Sequence, residues 1–297
     1  MKTFKKVKIE HTKLEKGINY FGSTDSIYVD GQLHNVGSRV LALCVLSEKD
    51  GWKNRINFQE GLQISGDIDR SASLYKDGKL YVVAINGAVF YLENNTWITE
   101  HAPDDTLAKK WLFKAFHDPE NDRIVVAGGN SGKPGGYSAY NSMTYVYENG
   151  KWAKFANKIH AQEGKENIAL RKSRPYEHIS DIDFEFCYDH QLKQMVMLGV
   201  NYSYTLNGKK WEHHESKGIG EIALSSRKIF HVKALEKTFI LTADGTLYQY
   251  SKESITPYAN IDLKDLTFYN CGSHYSDEKG CLFLTDSDGS VFTVEIS

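Results

Sequence analysis

The chain predicts an all-β fold built from repeated four-stranded units, and three observations carry that prediction. First, Asn86-Gly87-Ala88-Val89-Phe90, Asp244-Gly245-Thr246-Leu247-Tyr248 and Asp288-Gly289-Ser290-Val291-Phe292 repeat one another. Each is an Asn/Asp-Gly step between two apolar runs, and such a step takes the φ > 0 conformations of a tight hairpin. Second, a Trp follows a turn at Trp52, Trp97, Trp152 and Trp211. Third, Ser26-Ile27-Tyr28-Val29-Asp30-Gly31-Gln32-Leu33 matches Ser73-Leu74-Tyr75-Lys76-Asp77-Gly78-Lys79-Leu80. The hairpins at Asp244 and Asp288 are one propeller blade apart, ~40–45 residues, so the repeat defines a β-propeller.

The elements follow in order. The second unit is the clearest: Ala72–Tyr75, a turn at Asp77-Gly78, Leu80–Ile85, a turn at Asn86-Gly87, Val89–Leu92, then Trp97–Glu100. These runs are short and rich in Val, Tyr, Phe and Thr, which suit a pleated, packed surface. Gly and Asn/Asp punctuate them. After Pro103, Asp104–Trp111 has the composition of one or two helical turns. The third unit offers Val125–Gly129 and Tyr147–Trp152, and the fourth Met195–Gly199 and Tyr204–Trp211. In the fifth, Tyr250–Ile255 holds the place of the Trp without one. The last unit has three runs, Leu266–Tyr275, Cys281–Thr285 and Val291–Ile296, and lacks an outer strand. Phe4–His11 alternates apolar and polar residues and supplies it, which removes an open sheet edge. The expected architecture is six four-stranded blades with the N-terminal strand completing the last; seven or five blades are the alternatives. Residues 1–297 read as a single domain.

Composition narrows the partners. Hydrophobic residues make up 41% and aromatics 12%, enough to fill the spaces between blades. Lys+Arg number 36 against Asp+Glu 38, a net charge of −2, so no basic surplus points to nucleic acid or to an anionic membrane. No run reaches the ~18 apolar residues of a membrane helix. Met1–Lys8 has the charge of a signal peptide without an apolar stretch after it, so a cytoplasmic protein is expected. It is expected to be a monomer. The four cysteines read as buried free thiols. A loop at Ser276–Lys279 would set Cys271 opposite Leu284 rather than Cys281, which disfavours a disulfide between the two.

Two stretches resemble kelch repeats of the bacterial kind. One is Arg174-Pro175-Tyr176-Glu177-His178, Cys187-Tyr188-Asp189, Met195–Gly199 and Tyr204–Trp211. The other is His117-Asp118, Val125–Gly129 with paired Gly128-Gly129, and Tyr147–Trp152. In kelch propellers the paired glycines end the second strand and the Trp packs between blades. The turns before each Trp are also similar to the Asp-box of sialidase-like propellers, although Leu206 stands where Asp belongs before Gly208 and Trp211. Both resemblances imply a scaffold, and a scaffold does not carry function.

Motifs that suggest chemistry have simpler readings. His213-His214 lie on a strand, where neighbours point to opposite faces, so they are not expected to share a metal. Asp286-Ser287-Asp288-Gly289 opens like a calcium loop but lacks the other ligands. Gly128–Lys133 evokes a phosphate loop, yet Pro134 follows Lys133 and no helix does. Asp181 and Asp183, two residues apart on a strand or its entry, share one face as paired carboxylates for glycoside chemistry would, but acidic residues at a strand start are the more common case. No cofactor, metal site or catalytic residue is expected.

Loop length points instead to binding. Turns between second and third strands are minimal in most units, whereas Gly128–Ser142 and the connection from Asn157 to Ser180 are long and leave the same face of neighbouring blades. Loops of that length usually carry function. Tyr137, Tyr140, Asn141, Arg171, Arg174, Tyr176 and His178 are the candidate binding residues, since aromatics and Arg suit recognition patches. The expected function is a non-catalytic interaction propeller that recognises a protein or glycan there. The alternative is a carbohydrate-active hydrolase or lyase with acidic and His residues around a central channel.

Overall fold

A computed structural model of the protein describes residues 2–9, 27–29, 31–36, 42–47, 51–57, 71–94, 96–107, 111–130, 144–155, 185–199, 202–219, 222, 227–264, 266, 271–286 and 288–297. Among these, strands β1 (Lys2–Phe4) and β2 (Lys6–Lys8) open the chain. Six sheets follow in sequence order. Sheet one is β3 (Ile27–Val29), β4 (Gln32–Val36), β5 (Ala42–Ser47) and β6 (Gly51–Asn57). Sheet two is β7 (Ala72–Lys76), β8 (Lys79–Val83), β9 (Val89–Glu93) and β10 (Thr96–His101). Sheet three is β11 (Trp111–Asp118), β12 (Arg123–Asn130), β13 (Thr144–Glu148) and β14 (Lys151–Phe155). Sheet four is β15 (Glu185–Asp189), β16 (Gln194–Leu198), β17 (Ser203–Asn207) and β18 (Lys210–His214). Sheet five holds β19 (Arg227–Val232), β20 (Lys237–Thr242), β21 (Thr246–Tyr250) and β22 (Ile255–Ile261). Sheet six holds β23 (Gly272–Ser276), β24 (Cys281–Thr285) and β25 (Val291–Glu295).

The N-terminal segment divides between two sheets. β2 pairs antiparallel with β25 (Lys6 opposite Val294, Lys8 opposite Phe292) and gives sheet six its fourth strand. β1 lies parallel to β22 (Lys2 opposite Ala259, Phe4 opposite Ile261) and makes sheet five five-stranded. The expectation of six uniform four-stranded blades is corrected accordingly: five sheets have four strands, and one has five.

The chain forms two compact units. One contains Met1–Phe4 and Lys109–Asp262, hence sheets three, four and five with β1; the other contains Lys5–Ala108 and Leu263–Ser297, hence sheets one, two and six. In the first unit, apolar side chains fill two inter-sheet layers. Val125, Val146, Phe186, Met197, Tyr204 and Trp211 pack between sheets three and four. Val196, Leu198, Ile229, Ile240, Tyr250 and Ile255 pack between sheets four and five. In the second unit, Ile27, Val29, Leu80, Val82, Phe90 and Trp97 join sheets one and two, and Tyr28, Leu33, Phe283 and Val291 join sheets one and six.

The Trp residues divide. Trp97 and Trp211 are buried, and Trp211 Nε1 donates to Thr144 Oγ1 across sheets three and four at 2.8 Å. Trp152 is half-exposed instead. It sits opposite Tyr147 in its own sheet, with ring centroids 5.2 Å apart.

Hairpin chemistry explains the repeats. Gly87, Gly245 and Gly289 take φ of 84°, 85° and 86°, while the Asn86, Asp244 and Asp288 before them do not enter the positive-φ region. Their side chains accept the backbone N–H of Ala88, Thr246 and Ser290 at 3.1, 3.0 and 2.7 Å. Each is therefore a type I turn closed by a left-handed Gly, not the two-residue mirror turn. The mirror turn occurs at Asp77-Gly78, where φ is 51° and 77°.

Other expectations change. Asp105–Leu107 form only a bend and turn, and Trp111 already opens β11. A short 3-10 turn at Lys233–Leu235 was not foreseen. The β23–β24 register places Ser276 opposite Cys281, so the turn lies one residue beyond the one expected and Cys281 still does not face Cys271. Cys187, Cys271 and Cys281 are buried free thiols, as anticipated. No helix among the described residues is long and apolar enough to cross a membrane.

Candidate functional site

The antiparallel order of each sheet gives it two unlike ends. In sheets three to five, the connections at one end span residues 119–122, 149–150, 190–193, 208–209, 233–236 and 251–254. At the other end they span 131–143, 156–184 and 215–226, with shorter ones at 199–202 and 243–245. First strands start at this second end, and their opening residues are where a site built by the long connections rests on regular structure.

Three charged side chains meet there. Glu185 is the first residue of β15, Lys228 the second of β19 and Lys114 the fourth of β11. Lys114 Nζ lies 3.9 Å from Glu185 Oε2, and Lys228 Nζ lies 3.6 Å from Glu185 Oε1. Lys114 and Glu185 are 20% exposed and Lys228 12%. Alternation places them: Lys114 shares a face of β11 with Phe116, which packs on Phe186 at 5.2 Å. Arg227, buried and next to Lys228, donates through Nη2 to the Gly199 carbonyl at the end of β16. Two unit charges ~4 Å apart attract by ~4 kcal/mol at an effective dielectric of ~20 before solvent screening, enough to hold the three groups together. Two ammonium groups flanking one carboxylate can bind an oxyanion, or orient a hydroxyl against Glu185.

The opposite end is built for stability. Asp118 closes β11 and is buried; Arg123 Nε donates to its Oδ2 at 2.8 Å and Asn121 Nδ2 at 2.9 Å. Arg123 Nη2 also donates to the Gly208 carbonyl at 3.2 Å, tying sheet three to sheet four. Asp189 closes β15 in the same way. It accepts from Leu192 N at 2.8 Å and from the Thr238 hydroxyl at 2.7 Å. Since Thr238 has one proton and gives it to Asp189, the 2.9 Å contact with His231 Nδ1 must be donated by His231. Burial pushes the Cys187 thiol well up, and the neighbouring Asp189 charge adds to it, so this thiol stays protonated.

His213 and His214 have different partners. His213 packs edge-on against Tyr202 at 5.6 Å, whereas His214 Nε2 bonds Thr205 Oγ1 at 2.9 Å. Burial, with Lys252 beside it, lowers the His214 pKa.

Tyr137, Tyr140, Asn141, Arg171, Arg174, Tyr176 and His178 lie outside the described residues, as do Asp181 and Asp183. What is placed is their frame: β12 ends at Asn130, β13 starts at Thr144, β14 ends at Phe155 and β15 starts at Glu185. Sequence reasoning missed Lys114, Glu185 and Lys228. Their signal was a charge within or opening an apolar first strand, as in Phe113-Lys114-Ala115, Glu185-Phe186-Cys187 and Arg227-Lys228-Ile229-Phe230.

No protein-family model matches the chain, and no curated protein matches it in sequence. Solved structures do. A structural genomics protein of unknown function from Bacteroides thetaiotaomicron is 8% identical, with 98% of this chain and 76% of that one covered and a TM-score of 0.60. Virginiamycin B lyase from Staphylococcus aureus is 9% identical over 99% of this chain and 100% of that one, with a TM-score of 0.57. A gluconolactonase from Xanthomonas campestris is 8% identical over 90% of this chain and 82% of that one, with a TM-score of 0.51. At such identities the likeness carries the fold and nothing of the activities, and the fold is a β-propeller of four-stranded blades.

Proposed function

We propose that the protein is a non-catalytic binding propeller that engages a protein or glycan at the long-connection end of sheets three, four and five. One observation carries the reading: the connections 131–143 and 156–184 leave the end at which Lys114, Glu185 and Lys228 converge from three successive first strands. Binding residues concentrate on loops held by a rigid frame, and Tyr137, Tyr140, Asn141, Arg171, Arg174, Tyr176 and His178 all belong to these two connections. The test replaces each connection separately with an Asn-Gly turn and compares the trimmed and intact proteins on a glycan array and in partner capture. Loss of one defined ligand, with circular dichroism unchanged, supports the reading. A ligand retained at native affinity by both trimmed proteins moves the binding surface elsewhere.

A second reading draws on Glu185. A half-buried carboxylate at the end where the long connections leave is a group that could exchange a proton with a bound substrate, which would suit a carbohydrate-active hydrolase or lyase. Turnover of an array glycan, abolished in Glu185→Gln without loss of binding, would select this reading over the first.

A further inference from the structure

The sequence holds three Asn-Gly steps, Asn86-Gly87, Asn149-Gly150 and Asn207-Gly208, and the fold treats them differently. Such a step is chemically vulnerable, because the glycine nitrogen can reach the side-chain amide carbon of the Asn with no side chain of its own in the way. Asn86 is held at each reacting group. Its Oδ1 accepts the Ala88 amide at 3.1 Å, its carbonyl accepts the amides of Asp104 and Asp105, and the Gly87 nitrogen donates to the Ala84 carbonyl. Asn207 is held at the side chain, where Nδ2 donates to Glu212 Oε1 at 3.0 Å; the Gly208 carbonyl accepts Arg123 Nη2 at 3.2 Å. Asn149 stands at the tip of the β13–β14 hairpin, beyond the last pair, Glu148 opposite Lys151. With φ of 51° at Asn149 and 75° at Gly150 this is a two-residue mirror turn. Residues 148–150 are exposed, and a Cβ at Gly150 would meet no atom of the described residues within 4 Å.

We propose that Asn149 is a site of spontaneous deamidation, singled out by the fold from three steps of the same sequence. The Gly150 amide nitrogen attacks Asn149 Cγ, and the side-chain nitrogen leaves as ammonia, taking the proton of the attacking amide. The product is a five-membered succinimide. Water opens it at either carbonyl and leaves aspartate or isoaspartate at this position. Water is the only other reactant, and nothing is oxidised or reduced. Isoaspartate carries an extra carbon in the main chain. A two-residue mirror turn has no room for it, because the two positive-φ residues fix the pairing of Glu148 with Lys151. The same hairpin carries Thr144, whose Oγ1 accepts Trp211 Nε1 of sheet four, so a modified tip would loosen the packing between sheets three and four.

The test ages the full chain in mildly alkaline buffer, folded and in guanidinium chloride. Peptide mapping by mass spectrometry follows the three steps, and enzymatic methylation counts isoaspartate. In guanidinium chloride the three asparagines should react at similar rates, since only the local sequence acts there. In the folded chain Asn149 should react first, with Asn86 and Asn207 slower by about tenfold, the weight of one or two hydrogen bonds. Glu212→Ala should speed the reaction at Asn207 and leave Asn149 unchanged, which ties protection to the side-chain bond. The aged fraction should melt below the fresh protein. Asn149→Gly suits the same turn and should keep its melting point through ageing. Asn149→Asp should melt as the fresh protein does, which separates the added main-chain carbon from the added charge. The proposal is overturned if Asn86 or Asn207 reacts first in the folded chain, if Asn149 reacts only when unfolded, or if the three keep in the fold the relative rates they have in guanidinium chloride. An aged fraction that carries isoaspartate at this position yet melts unchanged would overturn its effect on the hairpin.

Discussion

Asp118 and Asp189 hold the same place in adjacent sheets, the last residue of the first strand, and both carboxylates are buried. The chain satisfies them by different means. Asp118 faces a permanent cation, the Arg123 guanidinium, with Asn121 as a second donor. Asp189 relies on a backbone amide and the Thr238 hydroxyl, with His231 Nδ1 3.7 Å from its Oδ1. Both solutions also join neighbouring sheets: Arg123 reaches the Gly208 carbonyl of sheet four, and Thr238 comes from sheet five. The difference teaches that one repeat position specifies a buried carboxylate at a turn, while the partner is left to the neighbouring sheet.

The comparison breaks or sharpens under substitution. Arg123→Met should have the largest effect, because it strands a buried carboxylate; the expected loss is ~3–5 kcal/mol by urea denaturation. The double variant Arg123→Met/Asp118→Asn should recover much of it. If the single variant costs no more than a surface change, the pair is not what holds that turn.

Thr238→Val should come next. It removes the Asp189 donor and the His231 acceptor together, at a cost of ~1–3 kcal/mol. An effect larger than that of Arg123→Met would reverse the ranking of the two solutions.

The smallest effect belongs to Asp244, which takes neutral donors as Asp189 does but in an exposed turn. Burial pushes its carboxyl up, yet bonds from the Thr242 hydroxyl and from the amide and hydroxyl of Thr246 outweigh this and leave its pKa below the usual value. A depressed folded-state pKa contributes stability above the unfolded value of ~3.9, and that contribution is lost as pH falls through the folded value. Asp244→Asn should therefore leave stability at neutral pH little changed and flatten only the acid limb of the melting profile. A shift of the neutral-pH melting point comparable to that of Thr238→Val would show that burial does not separate the two carboxylates.

The fold was legible because its turns are spelled locally. Asp244-Gly245 and Asp288-Gly289 announce themselves within two residues, and the apolar runs around them alternate with the pleat. What the turns did not reveal was geometry fixed by a partner far along the chain. Trp152 and Trp211 look alike in sequence, yet Trp211 is buried and reaches Thr144 of another sheet, while Trp152 is only half-buried and packs on Tyr147 of its own. Lys114, Glu185 and Lys228 are separated by whole sheets, so nothing local marks them as neighbours. The binding residues chosen from Tyr137 to His178 came from loop length and composition, which identify an end of the sheets without fixing side chains.

The division of residues 2–8 between two sheets has a consequence for synthesis. Lys6 pairs with Val294 and Lys2 with Ala259, so residues 2–8 find their strand partners only after more than 250 further residues have been made. Such long-range pairing is slow to form, and until β25 has emerged the sixth sheet offers an open edge to other chains. The middle sheets, by contrast, close from consecutive hairpins and can fold as they are made. An amino-terminal fusion that restrains Lys2–Lys8 would delay the final step for every molecule, and its yield of monomer should fall faster with expression rate than that of a carboxy-terminal fusion.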